Sequence, residues 1–263
     1  MKLSPQNRRP TKAEIARYLL RVRDAEASFM GFMRLMHPEF EWADFQLDLM
    51  RKLDAFERRR LIHPESGLIV RNLLITMPPR HAKSFISTVN FPAYFMARDP
   101  RRYVMSASYN DELAKDFGRQ VRDLCSRPEA RQAFPDLIVS SDSRAADTWR
   151  TESGGAYFGV GLGGTTSGRP ANLLIIDDPI RAREDADSIT KRNKVWSYYT
   201  SALSTRLQPE LDGALPLQIV ILTRWHPDDL AGRLMASEEW REGRWLHIDY
   251  PAIREVKSDV QIV

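Results

Sequence analysis

The sequence predicts an α/β fold, in which a mostly parallel central sheet is flanked by helices. Two observations predict it. Short apolar runs with the length and composition of buried strands recur along the chain, at residues 73–75, 102–107, 171–176 and 215–223. Between them lie longer segments in which apolar residues recur at the three- to four-residue spacing of helices. Since strand–helix–strand order joins parallel strands, we expect one sheet that is covered by helices.

Composition limits the class of protein. With 263 residues, 43% of them hydrophobic, the chain can bury one large α/β domain, with or without a small appendage. Its apolar runs are shorter than the ~18 residues of a membrane span, and residues 1–10 are too polar for a signal peptide, so we expect a soluble intracellular protein. The single Cys125 excludes an internal disulfide framework and argues against a Cys-based zinc site. A net charge of +4 is compatible with a polyanionic partner without requiring one.

The amino-terminal residues predict two helices. Residues 11–36 have helical periodicity, and Thr11 and Glu14 have the spacing of a capping box, so one long helix that ends before Pro38 is expected. Its buried face is predicted to contain Ile15, Leu19, Val22, Ala25 and Phe29. A second helix is predicted at residues 44–59.

Residues 71–84 (RNLLITMPPRHAKS) have the order strand, loop, helix that a phosphate-binding loop requires. Such a loop needs backbone N–H groups that face the phosphates, a Lys for the β- and γ-phosphate oxygens and a Ser or Thr hydroxyl for Mg²⁺. Lys83 and Ser84 meet the last two requirements. However, the usual pattern G-x-x-x-x-G-K-S/T would place glycines at Met77 and Ala82. The loop alone therefore leaves nucleotide binding and an ordinary surface loop equally open.

The elements after this loop alternate between helix and strand. A helix is predicted at residues 85–96, which Pro92 should kink or shorten. Further helices are predicted at residues 110–125 and at residues 188–207, with Asp187 as a possible N-cap. Residues 148–160 predict a β-hairpin. The sequence PDDLAGRLM, which begins at Pro227, predicts a further helix with this proline in its first turn.

A glycine-rich stretch contains Gly159, Gly161 and Gly164 in the spacing G-x-G-x-x-G of a dinucleotide-binding loop. That fingerprint must open a helix directly, whereas here residues 165–170 intervene and a strand is predicted to follow. We therefore expect a mobile or strained loop and no dinucleotide site.

Two carboxylates follow the strand at residues 171–176. Chemistry in parallel sheets lies at the carboxyl ends of the strands, and an acidic turn would explain either Asp singly. Two in succession, downstream of a Lys-Ser loop, fit a Walker B motif better. In this interpretation Asp177 faces Mg²⁺ and Asp178 lies beside the attacking water, although Asp is shorter than the Glu that is common there.

Four motifs together resemble the large terminase subunits of tailed bacteriophages. They are PPRHAKS, the segment SASYNDELA from Ser106, TSGRPANLLIIDDP and LTRWHPDDLAGRL, and they occur in that family's order and rough spacing over residues 38–253. The resemblance implies a three-layer P-loop ATPase of the additional-strand, conserved-glutamate class, with an amino-terminal helical segment. Its implied activity is ATP hydrolysis with Mg²⁺ that drives double-stranded DNA into a viral procapsid.

The resemblance also implies an organisation and partners. Residues 1–60 would be a helical segment packed on the ATPase core, residues 61–255 the core, and residues 256–263 the start of a linker to a nuclease domain that lies outside this chain. Implied partners are double-stranded DNA, the portal protein and the small terminase subunit. A homo-oligomeric ring on the capsid is expected, with a monomer as the alternative for the isolated domain. The implied location is the host cytoplasm and, transiently, the procapsid portal, with no membrane.

Site residues are carried over motif by motif. Lys83 and Ser84 resemble the Walker A pair, Asp177 and Asp178 resemble Walker B and the water-activating carboxylate, and Thr223-Arg224 resembles the motif that senses the γ-phosphate. The loop residues expected to contact the nucleotide are Pro79, Arg80, His81, Ala82, Lys83, Ser84 and Phe85. Gln46 is similar to the upstream glutamine that reads adenine. Arg169 is the candidate arginine finger for a neighbouring subunit, and Arg80 is the alternative within its own site.

Two other functions stay open at this stage. One is a helicase-like DNA translocase of similar core, which the LTRWHPDDL block disfavours. The other is a non-catalytic DNA-binding module with a degenerate loop, which Met77 and Ala82 at the glycine positions would suit.

Overall fold

Eight strands of the chain form one sheet in the computed structural model, which describes residues 11–251 apart from the side chains of Ser143 and Arg144. The strands are β1 (Asn72–Thr76), β2 (Tyr103–Ser108), β3 (Val139–Arg144), β4 (Thr148–Thr151), β5 (Ala156–Gly161), β6 (Leu173–Asp177), β7 (Leu217–Leu222) and β8 (Trp245–Asp249). Their order across the sheet is β3-β4-β5-β2-β6-β7-β1-β8. All neighbours from β5 to β8 are parallel, and only β3 and β4 add antiparallel strands at one edge. The predicted α/β class is confirmed.

Helices cover both faces of this sheet. They are α1 (Lys12–Ala27), α2 (Phe29–Met36), α3 (Asp44–Glu57), α4 (Phe91–Arg98), α5 (Asp111–Cys125), α6 (Pro128–Ala133), α7 (Arg183–Asp187), α8 (Ile189–Tyr198), α9 (Leu230–Met235) and α10 (Glu238–Arg241). Helices α1 to α6 contribute to the core on one face, and α7 to α9 contribute to the core on the other. Each face thus buries its own apolar cluster, and the central strands β6 and β7 are buried along their whole length. Within the described part of the chain, no helix is long and apolar enough to cross a bilayer.

The amino-terminal helix differs from its prediction. The capping box is present, since the Thr11 N–H donates to Glu14 Oε2 at 2.7 Å and the Glu14 N–H donates to Thr11 Oγ1 at 3.3 Å. However, the backbone is extended at Ser28, which splits the predicted helix into α1 and α2, and Ser28 Oγ accepts the Gly31 N–H at 3.0 Å as the cap of α2. Because the chain turns there, only Val22 and Ala25 of α1 are buried. The prediction that Ile15 and Leu19 lie on the buried face is wrong, since they are 46% and 60% exposed.

The helix after the predicted phosphate-binding loop is longer than expected, and its hydrogen-bonding pattern changes from π-helical to α-helical along its length. Residues 83–84 begin it, residues 85–90 form a π-helical segment, and α4 continues it to Arg98. The predicted effect of Pro92 is wrong in part, because this proline lies in the first turn of α4, where it does not shorten the helix. Pi-helical segments are rare and occur frequently at functional sites.

Several later boundaries also differ from their predictions. Ser188, and not Asp187, caps α8, since Ser188 Oγ accepts the Lys191 N–H. Helix α9 begins only at Leu230, because Asp229 is its N-cap and accepts the Gly232 N–H at 2.9 Å; Pro227 therefore lies outside the helix. The short elements β3, α6 and β8 were not predicted at all.

The predicted hairpin is confirmed, because β4 and β5 pair antiparallel around Trp149 and Tyr157. Gly159 and Gly161 lie inside β5, so the expected mobile loop is wrong for this half of the glycine-rich stretch. A Cβ atom at Gly161 would lie 2.4 Å from the Asp111 nitrogen, which shows that glycine permits the start of α5 to approach the strand. Since β5 runs into a turn and not into a helix, the stretch does not form a dinucleotide fingerprint.

Candidate nucleotide-binding site

The candidate site lies where three central strands end. In the register of the sheet, Thr76 of β1 is level with Leu222 of β7, and Asp177 of β6 is level with Ile221. The predicted phosphate-binding loop follows β1, Asp178 follows β6 and Thr223 follows β7. These segments, far apart in sequence, therefore meet at the carboxyl edge of a parallel sheet, where ligands bind in such folds.

The loop conformation explains one of the missing glycines. Arg80 and Ala82 both have φ of 63°, in the left-handed region that favours glycine. Ala82 occupies the second glycine position of the usual pattern, so this chain holds a strained alanine where glycine would be relaxed. Met77, at the first glycine position, is buried, and its N–H donates to the Leu222 carbonyl at 3.3 Å. Met77 thus extends the pairing of β1 with β7, and the backbone at this position does not require glycine.

Lys83 and Asp178 form an ion pair in the site. Lys83 is 8% exposed, and its Nζ lies 2.5 Å from Asp178 Oδ2. The other carboxylate oxygen, Asp178 Oδ1, accepts the Thr223 N–H at 2.9 Å. Asp178 itself has φ of 40°. Its carboxylate thus contacts both Lys83 and Thr223, two residues that are predicted to face a nucleotide.

Asp177 is buried beside this pair. It is 1% exposed, and its Oδ2 accepts a hydrogen bond of 2.7 Å from Thr88 Oγ1. Burial, and then repulsion by Asp178, raise the pKa of Asp177 to about 6, while the Ser84 and Thr88 hydroxyls and Lys83 act in the opposite direction. Asp177 Oδ1 is buried, and no residue of the described chain makes a hydrogen bond of ordinary geometry with it.

This free oxygen fits a Mg²⁺ site. A buried polar atom without a partner requires an explanation, and Mg²⁺ typically binds one or two protein carboxylates or hydroxyls together with substrate phosphates and water. Ser84 supplies the hydroxyl beside the Asp177 carboxylate. Within residues 11–251, no three His, Cys, Asp or Glu side chains are grouped so that they could hold a metal by themselves. If Mg²⁺ binds here together with a nucleotide, Ser84 and Asp177 are the residues that would hold it.

The other predicted nucleotide contacts lie on the loop and on α3. The ring of His81 lies 5.9 Å from that of Phe45, so the start of α3 is beside the loop, and His81 Nδ1 lies 2.8 Å from the Pro79 carbonyl. Gln46 is next in sequence to Phe45, and its Oε1 accepts the Ala43 N–H at 3.0 Å as part of the cap of α3. Phe85 is stacked against Phe40 and Trp42 in an aromatic cluster.

The arginines are placed differently. Arg224 Nε donates to Asp229 Oδ2 at 2.8 Å, so its guanidinium is bound to the start of α9. Arg80 is exposed on the loop. The Arg169 guanidinium lies 5.6 Å from the centre of the Phe158 ring. On the neighbouring strand β2, Met105 pairs with Phe158, and Ser108, three residues later, pairs with Asp177. This offset is about 10 Å along the strand, so Arg169 does not join Lys83 and Asp177 within one chain.

Thr88 is the site residue that sequence reasoning missed. It follows Ser84 by four residues, and this spacing puts both hydroxyls on one side of a helix. The spacing of Ser84 and Thr88 is visible in the sequence. However, only the structure shows that Asp177, at the end of β6, lies within hydrogen-bonding distance of Thr88.

Comparison with known proteins supports the architecture. No family model matches the sequence, and no curated protein matches it. Among solved structures, the large terminase of bacteriophage HK97 superposes with a TM-score of 0.51 at 15% sequence identity, covering 82% of this chain and 41% of that one. The chain has the fold of the matched part of this large terminase. The resemblance indicated by the motifs is thereby confirmed at the level of the fold, and this chain matches less than half the length of the HK97 terminase.

Two other terminase structures match more distantly. The large terminase ATPase domain of Thermus phage P74-26 has a TM-score of 0.44 at 11% identity, covering 73% of this chain and 67% of that one. The large terminase of another thermophilic bacteriophage, in complex with ADP, has a TM-score of 0.46 at 12% identity, covering 80% of this chain and 45% of that one.

Proposed function

We propose that this chain is the ATPase motor domain of a viral terminase large subunit, which hydrolyses ATP to move double-stranded DNA into a procapsid. One observation carries the proposal: Lys83, Ser84, Asp177 and Asp178 meet at the carboxyl edge of a terminase-like sheet. This set combines a phosphate ligand, a metal-binding pair and a carboxylate for water, which phosphoryl transfer requires.

The loop would bind the phosphates of ATP. Residues 80–84 have backbone N–H groups at the start of a helix, and the helix dipole favours negative charge there. The Lys83 ammonium group would leave Asp178 and bind the β- and γ-phosphate oxygens instead. Ser84 and Asp177 would hold Mg²⁺, which supplies positive charge to the phosphate oxygens.

Asp178 would orient the attacking water. Once phosphate has taken Lys83, Asp178 Oδ2 is free to accept a hydrogen bond from water, while Oδ1 keeps its bond to the Thr223 N–H. Thr223 is followed by Arg224, which binds Asp229 at the start of α9. A movement of Asp178 would therefore shift Thr223 and Arg224 at the end of β7, and through Asp229 it would shift α9. We propose that these contacts couple hydrolysis to the DNA-gripping surface.

A ring of subunits would complete the site. Because Arg169 lies apart from its own Lys83, it is the proposed finger for a neighbouring subunit, and exposed Arg80 is the alternative within one subunit. Such an arginine typically contributes roughly 10³ to 10⁵ in rate. The proposed partners are double-stranded DNA, the portal protein and the small terminase subunit, at the procapsid portal in the host cytoplasm.

The direct test is ATP hydrolysis by the Lys83→Ala variant. We expect the variant to remain folded and to lose turnover, because the charge that stabilises the transferring phosphoryl group is gone. The exposed Lys115, on α5, gives the matched control, and Lys115→Ala should hydrolyse ATP like the wild type. A folded Lys83→Ala variant with normal turnover would exclude the proposal.

A non-catalytic DNA-binding module is the second candidate, because Ala82 is strained where a P-loop has glycine. Titration with ATP distinguishes the two functions. An ATPase should bind ATP more tightly with Mg²⁺ than with EDTA, whereas a module with a degenerate loop should show no such difference.

A further inference from the structure

Thr88 lies in the π-helical segment, one turn after Ser84, and is fully buried. Its hydroxyl crosses from this helix to the end of β6, where Oγ1 donates to Asp177 Oδ2 at 2.7 Å. The bond joins residues that are 89 positions apart in the sequence. Thr88 therefore fixes a strand carboxylate from the phosphate-binding helix itself.

Threonine hydroxyls in helices can donate to a backbone carbonyl one turn earlier. Other threonines of this chain do so: Thr200 Oγ1 donates to the Trp196 carbonyl at 3.0 Å, and Thr205 Oγ1 donates to the Ala202 carbonyl at 3.1 Å. Thr88 instead directs its single donor to Asp177. Thr200 and Thr205 are exposed, whereas Thr88 is buried and its hydroxyl has a partner on another element.

The bond makes the two oxygens of Asp177 unequal. Oδ2 accepts the Thr88 hydrogen bond, whereas Oδ1 is buried and accepts no hydrogen bond of ordinary geometry from the described residues, with the Ser84 hydroxyl close to the carboxylate. Mg²⁺ demands near-ideal octahedral geometry, so the orientation of a carboxylate that ligates it matters. With Oδ2 held, the carboxylate cannot rotate about its Cβ–Cγ bond without losing a buried hydrogen bond, and Oδ1 remains the oxygen offered to a cation.

We propose that Thr88 is a positioning residue for the metal-binding carboxylate: its hydroxyl holds Asp177 Oδ2 so that Oδ1 faces the Mg²⁺ of the bound nucleotide. The inference rests on the proposed ATPase function, and it adds a residue that acts through Asp177 without touching the nucleotide. Groups that orient metal ligands in this way commonly change metal affinity by about 10- to 100-fold when they are removed.

The test is calorimetric titration of the whole chain with a non-hydrolysable ATP analogue, in Mg²⁺ and in EDTA. Thr88→Val keeps the shape of the side chain but removes the donor, and we expect its affinity in Mg²⁺ to fall about 10- to 100-fold with its affinity in EDTA unchanged. Thr88→Ser restores the donor and should recover the Mg²⁺-dependent affinity. Thr200→Val removes a hydroxyl that bonds only within its helix, and should bind like the wild type.

The outcomes separate the two claims. If the wild type binds more tightly with Mg²⁺ and folded Thr88→Val binds equally well, the role of Thr88 is refuted while the ATPase proposal stands. If the wild type gains nothing from Mg²⁺, the proposed function and this inference both fail. Thermal unfolding checks each variant, and Thr88→Ala replaces Thr88→Val in the same comparison if the valine does not fold.

Discussion

The Lys83 ammonium and the Asp178 carboxylate bind each other, with 2.5 Å between Nζ and Oδ2. Phosphate and water would need these same two groups during hydrolysis. The pair therefore represents a resting arrangement of the proposed site, in which ATP must compete with Asp178 for the lysine. Since Asp178 also accepts the Thr223 N–H, breaking the pair alters a residue that is bound to the end of β7.

Asp178→Asn should separate nucleotide binding from hydrolysis. The amide is neutral, so Lys83 is released for the phosphates, and we expect ATP affinity to be kept or raised. Turnover should fall by about 10² to 10⁴, because the group that accepts the proton of water is lost. Steady-state hydrolysis and equilibrium binding check both effects. Asp187→Asn, at an exposed position, should change neither, and normal turnover in Asp178→Asn would contradict the role of this carboxylate.

Ala82→Gly should stabilise the protein. Ala82 has φ of 63°, where alanine is strained and glycine is not, and the gain in unfolding free energy should be about 1 kcal/mol after the entropy of glycine is counted. Exposed Ala236 has an ordinary φ of −87°, so Ala236→Gly should instead lose up to about 1 kcal/mol. Urea unfolding measures both. Equal effects at the two positions would mean that the loop is not strained.

Arg102→Met should destabilise the fold strongly. Arg102 is bound on both sides, with NH1 2.7 Å from Glu57 Oε1 and Nε 2.7 Å from Glu210 Oε2. Its removal takes the shared partner from two buried carboxylates. Arg59 still pairs with Glu210, and Arg98 Nε still lies 3.7 Å from Glu57 Oε2, so the cost should be at the lower end for a broken buried ion pair, about 3 kcal/mol. The next residue, Arg101, pairs with nearby Asp99 and has an exposed side chain, so Arg101→Met should cost much less than Arg102→Met. Similar losses for both variants would refute the importance of this buried network.

His37 should make stability depend on pH. Its Nε2 lies 2.8 Å from Asn90 Oδ1 in a buried position. Burial lowers the pKa of His37, Arg127 adds to this effect, and Asn90 and Glu39 oppose it. The His37 side chain binds a proton less readily in the folded state than in the unfolded state. Its contribution to the free energy of unfolding is therefore complete above the unfolded pKa of 6.5 and is lost as the pH falls below that value.

The measurement for His37 is the melting temperature between pH 7.5 and pH 5. His37→Gln cannot be protonated there, so its melting temperature should fall less over this range than that of the wild type. His247, whose pKa is also lowered mainly by burial, stays in both proteins and contributes equally. An identical pH dependence in the two proteins would contradict the lowered pKa of His37.

The sequence predicted the sheet but not all of its surroundings. Apolar runs located β1, β2, β6 and β7 because central parallel strands are buried on both faces. Strands β3 and β8 lie at the edges of the sheet, where the apolar signal is diluted, and both were missed. The break at Ser28 was missed because the periodicity of apolar residues continues through it, although a serine followed by an apolar run is also a helix start.

The site was predictable only in part, because linear motifs do not reveal contacts. Lys83 and Asp178 were assigned separate roles, and their ion pair needed the ends of β1 and β6 to be placed side by side. Thr88 was overlooked because its partner lies on another element. The departure at Ala82 was visible in the sequence, but its meaning depended on a backbone angle.

A crystal structure with ADP and Mg²⁺ tests the central claim most directly. We predict that the β-phosphate lies in the loop of residues 79–84, that Lys83 Nζ has moved from Asp178 to a phosphate oxygen, and that Ser84 and Asp177 Oδ1 face the Mg²⁺ ion. Nucleotide bound elsewhere, with the Lys83–Asp178 pair intact and the loop empty, would contradict the account.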